Sequence, residues 1–226
     1  MKYLLFLVFP IIMQAQTNFD KAETYFKQSK YDLAQPIFEN FLLENPNDLK
    51  TLEYLGDIQG KLEHWDKAIS YYKKLKILNP KEANYQFKYG GVLGMKAKNA
   101  TKFTALGMVP DIKKSFENAI ILNPKHIQAR WALVELYIQL PGIVGGSERK
   151  ARKYSDELLI ISPVDGYLSK GRIEEYFGNY DKAEIQFKKA HEIGKSKTTF
   201  LKLYNLYTTK LKQPEKAVEL KKEFEK

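Results

Sequence analysis

The chain contains no cysteine, which excludes disulfide bonds and thiolate-held metal sites. A protein without disulfides does not depend on an oxidising compartment for its stability. The same absence excludes the lipid-modified N-terminal cysteine of a bacterial lipoprotein. If the chain is exported, we therefore expect it to lack such an anchor.

Arginine is scarce, because only four of the 37 basic residues are arginines although the net charge is +10. The four are Arg130, Arg149, Arg152 and Arg172. Bidentate recognition of phosphate or guanine favours arginine over lysine. The lysines are spread along the chain among Asp and Glu, which favours a solvated outer face over a nucleic-acid surface. We expect no nucleic-acid partner, while weak attraction to anionic membrane or envelope surfaces stays open.

Long apolar runs are absent except at the N-terminus, where Met1-Lys2 is followed by the eleven-residue run Tyr3 to Met13. That run is too short for a transmembrane helix, which needs about 20 residues. A positive start, an apolar run and the small residue Ala15 predict a cleavable signal peptide over residues 1–15. A first amphipathic helix is the alternative. We expect an exported mature chain, residues 16–226, that is periplasmic or secreted and has no transmembrane segment.

One sequence motif repeats along the rest of the chain. The segment from Trp65 to Pro80, WDKAISYYKKLKILNP, matches the segment from Tyr31 to Pro46, which lies 34 residues earlier. It returns at residues 180–194 and, degraded, at residues 214–226. Self-similarity at such a fixed period is the mark of a stacked helical repeat.

The period and its residue types resemble the tetratricopeptide repeat (TPR) family over almost the whole mature chain. The family has small–large–small contacts between paired helices. This sequence matches them with Gly56, which is expected to face Ala68 and the large Tyr72. The resemblance implies an all-α, right-handed α-solenoid of about six antiparallel helix pairs. It predicts repeats at about 18–47, 48–81, 82–125, 126–163, 164–197 and 198–226, and a charge at Lys221 marks the last helix as a polar cap.

Two segments depart from the period. Pro80 and Pro124 lie 44 residues apart, so we place an insertion at residues 96–110 and expect it to fold back on the array. Its apolar side chains are Phe103, Leu106, Met108 and Val109.

The second departure is the turn at residues 140–147, LPGIVGGS, in which Ser147 is predicted to cap the next helix. An anion site on the free amides of Gly145 and Gly146 is the alternative. The turn resembles a variant found in bacterial exported TPR proteins, including the ligand-binding component of some solute uptake systems.

No residue constellation predicts catalysis, a metal or a cofactor. The three histidines, His64, His126 and His191, lie more than 60 residues apart and have no partner at the spacing of a helical zinc site. The glycines at 90, 91 and 94 are predicted to lie inside a helix, where they favour close packing between helices over a dinucleotide-binding turn. We therefore expect a non-enzymatic protein.

The resemblance places a binding groove on the first helix of each repeat. Its positions carry over to Asn84, Phe87, Gln128, Trp131, Glu135, Arg172 and Tyr176. Phe87 and Trp131 fit the core equally well. The Lys/Asn clamp of the subfamily that grips a C-terminal carboxylate is absent, since Phe19 and Glu23 stand at its opening positions.

These positions lead to two hypotheses about function. The main one is an exported protein–protein interaction scaffold that binds a protein or peptide in the groove. The alternative is a periplasmic carrier of a small apolar ligand, in which residues 96–110 and 140–147 close a pocket. A deep apolar pocket beside Phe103 and Trp131 would favour the carrier.

Overall fold

The computed structural model describes residues 18–225, and the predicted signal peptide lies outside them. Within that range every regular element is a helix, and no strand is present. The chain divides into two compact units, and the boundary along the sequence lies between Ser115 and Phe116. We call them unit 1 and unit 2.

From residue 18 onwards, unit 1 contains five helices and the first part of a sixth. Its helices are α1 (residues 18–27), α2 (Tyr31–Glu44), α3 (Leu49–Lys61), α4 (Trp65–Leu78), α5 (Ala83–Lys98) and α6 (Lys102–Leu122, to residue 115).

Unit 2 begins with the end of α6 and continues to residue 225. Its helices are α7 (Ile127–Gln139), α8 (Glu148–Ile161), α9 (Pro163–Tyr176), α10 (Tyr180–Gly194), α11 (Lys197–Asn205) and α12 (Pro214–Phe224). A single 3₁₀ turn (Gly142–Val144) precedes α8, and α11 continues as a π-helical segment (Leu206–Leu211).

The helices begin and end where short polar motifs predict it. The Asp48 side chain accepts a hydrogen bond from the Thr51 amide at 2.7 Å and caps α3. Ser162 caps α9 in the same way, with Pro163 as the first helical residue. Helix α4 ends at Leu78, immediately before Asn79-Pro80.

In two of the helix pairs, a glycine on the first helix packs against an aromatic ring on the second helix. A Cβ on Gly56 would lie 3.0 Å from the Tyr72 ring, and one on Gly171 would lie 2.4 Å from the Phe187 ring. Both rings are at most 2% exposed. The predicted contact between Gly56 and Tyr72 is therefore present, and it recurs in unit 2 between α9 and α10. A Cβ on Gly91 or Gly94 would meet nothing within 4 Å, so close packing at these two glycines was the wrong prediction.

Helix α8 carries a serine where four other second helices carry an aromatic ring. Ser155 is 1% exposed, and its hydroxyl lies 2.7 Å from that of Ser169 on α9, which is fully buried. A buried polar contact therefore joins these two helices, and the sequence pattern did not predict it. The corresponding rings belong to Phe38, Tyr72, Phe116 and Phe187.

The insertion at residues 96–110 is helical. Helix α5 continues to Lys98, and α6 already begins at Lys102 with Pro110 inside it. Phe103 is 89% exposed and Leu106 is 40% exposed, whereas Met108 is half-buried. The prediction that Phe103 and Leu106 fold back onto the array is therefore wrong.

The turn at residues 140–147 has the predicted cap. Gly145 adopts φ 100°, a left-handed conformation that glycine favours. The Gly146 amide donates to the Pro141 carbonyl at 3.0 Å, and the Ser147 amide donates to the Tyr137 carbonyl at 2.9 Å. The Ser147 hydroxyl accepts from the Lys150 amide at 3.3 Å. Because the turn itself uses these amides, the capping interpretation is confirmed and the anion site is not supported.

Candidate functional site

Side chains of α7 and α9 form a continuous polar and aromatic face in unit 2. The α7 residues are spaced by three and four positions, so they lie on one side of the helix. We call this surface the α7–α9 face; its members are Gln128, Trp131, Glu135, Gln139, Asp165, Arg172, Glu175 and Tyr176.

Trp131 joins the two helices. Its indole Nε1–H donates to Asp165 Oδ1 at 2.8 Å, and the Ser162 hydroxyl donates to Asp165 Oδ2 at 2.6 Å. The ring is half-buried and packs against the apolar core cluster that contains Leu168 and Leu203. The Trp131 ring therefore supports the core, as one of the two interpretations predicts, while its role in binding remains a prediction.

A bidentate ion pair forms the second link. Arg172 Nε donates to Glu135 Oε1 at 2.8 Å, and Arg172 Nη2 donates to Glu135 Oε2 at 3.2 Å. Gln139 donates to Glu135 Oε2 at 2.6 Å. Burial alone would lower the pKa of the Arg172 guanidinium, but the hydrogen bonds and charge of Glu135 outweigh it and raise that pKa. This fork geometry fixes both side chains.

Tyr176 is the accessible aromatic residue of the face. Its ring is 43% exposed, and the Arg172 guanidinium carbon lies 5.6 Å from the ring centroid. Gln128 is also exposed, at the other end of the α7 row. The carboxylates of Glu135, Asp165 and Glu175 outnumber the single guanidinium of Arg172 on this face. Its net charge is therefore negative at pH 7, opposite to that of the whole chain.

A similar link joins α3 and α5 in unit 1. Lys88 donates to Glu53 Oε1 at 2.6 Å and to Asp57 Oδ2 at 2.7 Å. The hydroxyl of buried Tyr72 donates to the same Asp57 carboxylate, and burial followed by the Asp57 charge raises the pKa of Tyr72 above its usual range. The predicted Asn84 is exposed on α5, one turn before Lys88.

The predicted groove residues thus fall on two units. Gln128, Trp131, Glu135, Arg172 and Tyr176 are brought together on the α7–α9 face. Asn84 and the half-buried Phe87 belong to α5 of unit 1.

Sequence reasoning missed Lys88 and Asp165, although a signal was available. Lys88 lies 35 residues after Glu53, Asp165 lies 34 after Trp131 and Arg172 lies 37 after Glu135. Complementary side chains about one repeat apart are candidates for contacts between successive first helices. Only their separation, and no local motif, marks them.

The histidines have structural partners. His64 Nδ1 lies 2.9 Å from Gln59 Oε1, and His191 Nδ1 lies 3.0 Å from the Thr199 hydroxyl. His126 accepts from the Ala129 amide at 3.2 Å and caps α7. Across residues 18–225 no group of three or more His, Asp or Glu is placed to hold a metal ion.

Among residues 18–225, no helix combines the length and the apolar composition needed to cross a bilayer.

Comparison with known proteins identifies the fold. No protein-family model matches the chain, and no curated protein does. Among solved structures, TTC0263, a thermophilic TPR protein of Thermus thermophilus, has a TM-score of 0.67 at 21% identity and covers 87% of this chain and 98% of its own. PilW, a type IV pilus biogenesis factor, has a TM-score of 0.68 at 17% identity, with 92% and 91% covered.

A third similar structure is YrrB, described as a TPR protein with an unusual peptide-binding site. Its TM-score is 0.55 at 15% identity, covering 80% of this chain and 87% of that one. The chain therefore has the fold of tetratricopeptide repeat proteins, which confirms the all-α helical-repeat class and the resemblance predicted from sequence.

Proposed function

We propose that this chain is an exported, non-enzymatic interaction scaffold whose α7–α9 face binds an extended protein segment rich in basic residues. The observation that carries the proposal is the linkage of Trp131 to Asp165 and of Glu135 to Arg172 beside the exposed Tyr176. Export rests on the signal peptide predicted for residues 1–15.

The linkage supports binding because it fixes the face before a partner arrives. Trp131, Glu135 and Arg172 each have a defined partner on the neighbouring helix. A side chain that is already immobilised loses little conformational freedom on association, so more of the contact energy appears as affinity. Helices also position a binding surface more rigidly than loops do.

The chemistry of the face favours a particular partner. Its excess of carboxylates attracts lysine or arginine side chains, and complementary potentials increase both the association rate and the specificity. Tyr176 and its neighbour Phe177, which is 42% exposed, offer apolar surface for an aromatic or aliphatic residue of the segment. Tyrosine is among the residues that most often dominate binding energy at interfaces.

The comparisons support the general class of this function. TPR folds are the common element of the similar structures, and peptide binding is attributed to YrrB. The small-ligand alternative gains no support from Phe103, because a side chain that is 89% exposed does not line an enclosed pocket.

Selection of random peptides on the full chain tests the proposal. We expect the selected peptides to combine Lys or Arg with an apolar residue. Replacing both Tyr176 and Gln128 by alanine should weaken their binding about 30-fold, as expected for an interfacial tyrosine. Raising the salt concentration from about 50 to about 300 mM should weaken it further, because exposed charges are then screened.

Ile185→Ala is the matched control, since this α10 side chain is 53% exposed and lies outside the face. It should leave peptide binding unchanged. Selection of acidic peptides, or equal weakening by the control and by the Tyr176/Gln128 variant, would contradict the proposed site.

A further inference from the structure

The beginning of α6 exposes a phenylalanine. Phe103 is 89% exposed, and Leu106 is 40% exposed one turn later. At this spacing the two side chains lie on the same side of the helix. We call residues 98–109, which contain both, the insertion tip.

Positive charge accompanies this apolar surface. Lys98 and Lys102 are exposed, and within residues 18–225 neither forms an ion pair. The sequence has no Asp or Glu from residue 83 to residue 110. The insertion tip therefore combines an exposed aromatic ring, an aliphatic side chain and two exposed lysines outside any ion pair.

Local hydrogen bonds shape the insertion tip. The Thr101 hydroxyl accepts from the Thr104 amide at 3.3 Å, and the Ala105 amide donates to the Thr101 carbonyl at 2.8 Å. These bonds cap the start of α6 without any contribution from Phe103. The side chain of Phe103 therefore has no evident role in holding the helix together.

We propose that the insertion tip docks on an anionic lipid surface, with Phe103 and Leu106 entering the interface and Lys98 and Lys102 binding lipid phosphate groups. Phe and Leu side chains bury apolar surface at the headgroup boundary, and lysine adds electrostatic attraction to anionic lipids. The insertion tip shares no residue with the α7–α9 face, and this proposal does not depend on the proposed function.

The charges and shape of the insertion tip favour lipid over a protein partner. Exposed lysines outside any ion pair complement a surface of phosphate groups. Phe and Leu are among the side chains that interfacial helices bury at the boundary between headgroups and acyl chains. Residues 101–104 are all exposed, so the Phe103 ring projects into solvent, where a flat lipid surface can reach it.

Vesicle co-sedimentation of the full chain tests the proposal. We expect binding to phosphatidylglycerol vesicles and much weaker binding to phosphatidylcholine vesicles. The double variant Phe103→Ser/Leu106→Ser should lower the partition coefficient at least tenfold, because less apolar surface enters the interface. Each of Lys98→Gln and Lys102→Gln should lower it about fivefold on the anionic vesicles.

Ile143→Ser is the control, because Ile143 is 97% exposed in unit 2 and has no place in the proposed contact. All variants keep the same N-terminus, so its apolar run cannot account for differences among them. In Phe103→Trp, brominated lipids should quench more fluorescence than in the wild-type chain. Unchanged vesicle binding by Phe103→Ser/Leu106→Ser, or no added quenching in Phe103→Trp, would overturn the proposal.

Discussion

Replacing Gly171 by alanine should destabilise unit 2, although alanine is the better helix former. In a helix the substitution by itself contributes about 1 kcal/mol of stability. At Gly171 the new Cβ would lie 2.4 Å from two ring atoms of Phe187, which is 1% exposed and has little room to move. Overpacking of this kind costs about 1–3 kcal/mol. Because the overlap is severe, we expect a net loss of about 2 kcal/mol.

Gly91→Ala and Gly56→Ala are the variants with which the stability change of Gly171→Ala should be compared. A Cβ on Gly91 meets nothing within 4 Å, so this variant should gain about 1 kcal/mol. A Cβ on Gly56 would lie 3.0 Å from the Tyr72 ring, so the gain and the loss should nearly cancel.

Each unit contains one tryptophan, which allows each to be followed separately. In a Trp65→Phe background, the fluorescence of Trp131 reports urea unfolding of unit 2. In a Trp131→Phe background, Trp65 reports unit 1. Equal stabilisation by Gly171→Ala and Gly91→Ala would refute the claim that the Phe187 ring fills the space over Gly171.

Further predictions concern the links between helices and the α8 turn. Trp131→Phe removes the donor to Asp165 and should cost unit 2 about 1–2 kcal/mol, measured by urea unfolding followed by circular dichroism. Burial opposes ionisation of Glu174, but the hydrogen bond and charge of Arg152 hold its pKa below its usual value. The resulting stability should be complete above about pH 4.3 and lost as the pH falls through the lowered pKa, so Glu174→Gln should flatten the acid side of a stability–pH curve. Gly146→Ala should lower the melting temperature, because its Cβ would lie 1.8 Å from a carbonyl oxygen of the turn, whereas Gly142→Ala should not.

The sequence predicted those features that depend on local chemistry. The Asn79-Pro80 boundary follows from the backbone restriction before proline, and the Ser147 cap from unsatisfied amides at a helix start. The contact between Gly56 and Tyr72 follows from the repeat register. The prediction for the insertion was wrong because its apolar side chains were assumed to need burial. Residues 102–109 instead form the first turns of α6 and leave Phe103 in solvent.

The α7–α9 face was predicted only in part. The resemblance placed Trp131, Glu135 and Arg172 at first-helix positions, but it did not identify Asp165 as a partner. That contact depends on how far α9 is shifted along its axis relative to α7. A repeat of 34 residues does not fix this shift to within one helical turn. Gln128 and Tyr176 were predicted as binding residues, and this assignment remains a prediction.

The most direct test of the α7–α9 face is site-specific photo-crosslinking in the cells that make the protein. A benzophenone side chain placed at Tyr176 should crosslink to a protein segment that contains lysine or arginine, and mass spectrometry of the joined peptides would locate the attachment. The same group at Ile185 is the control and should give no such product. Crosslinking from Ile185 alone, or equally from both positions, would contradict the account.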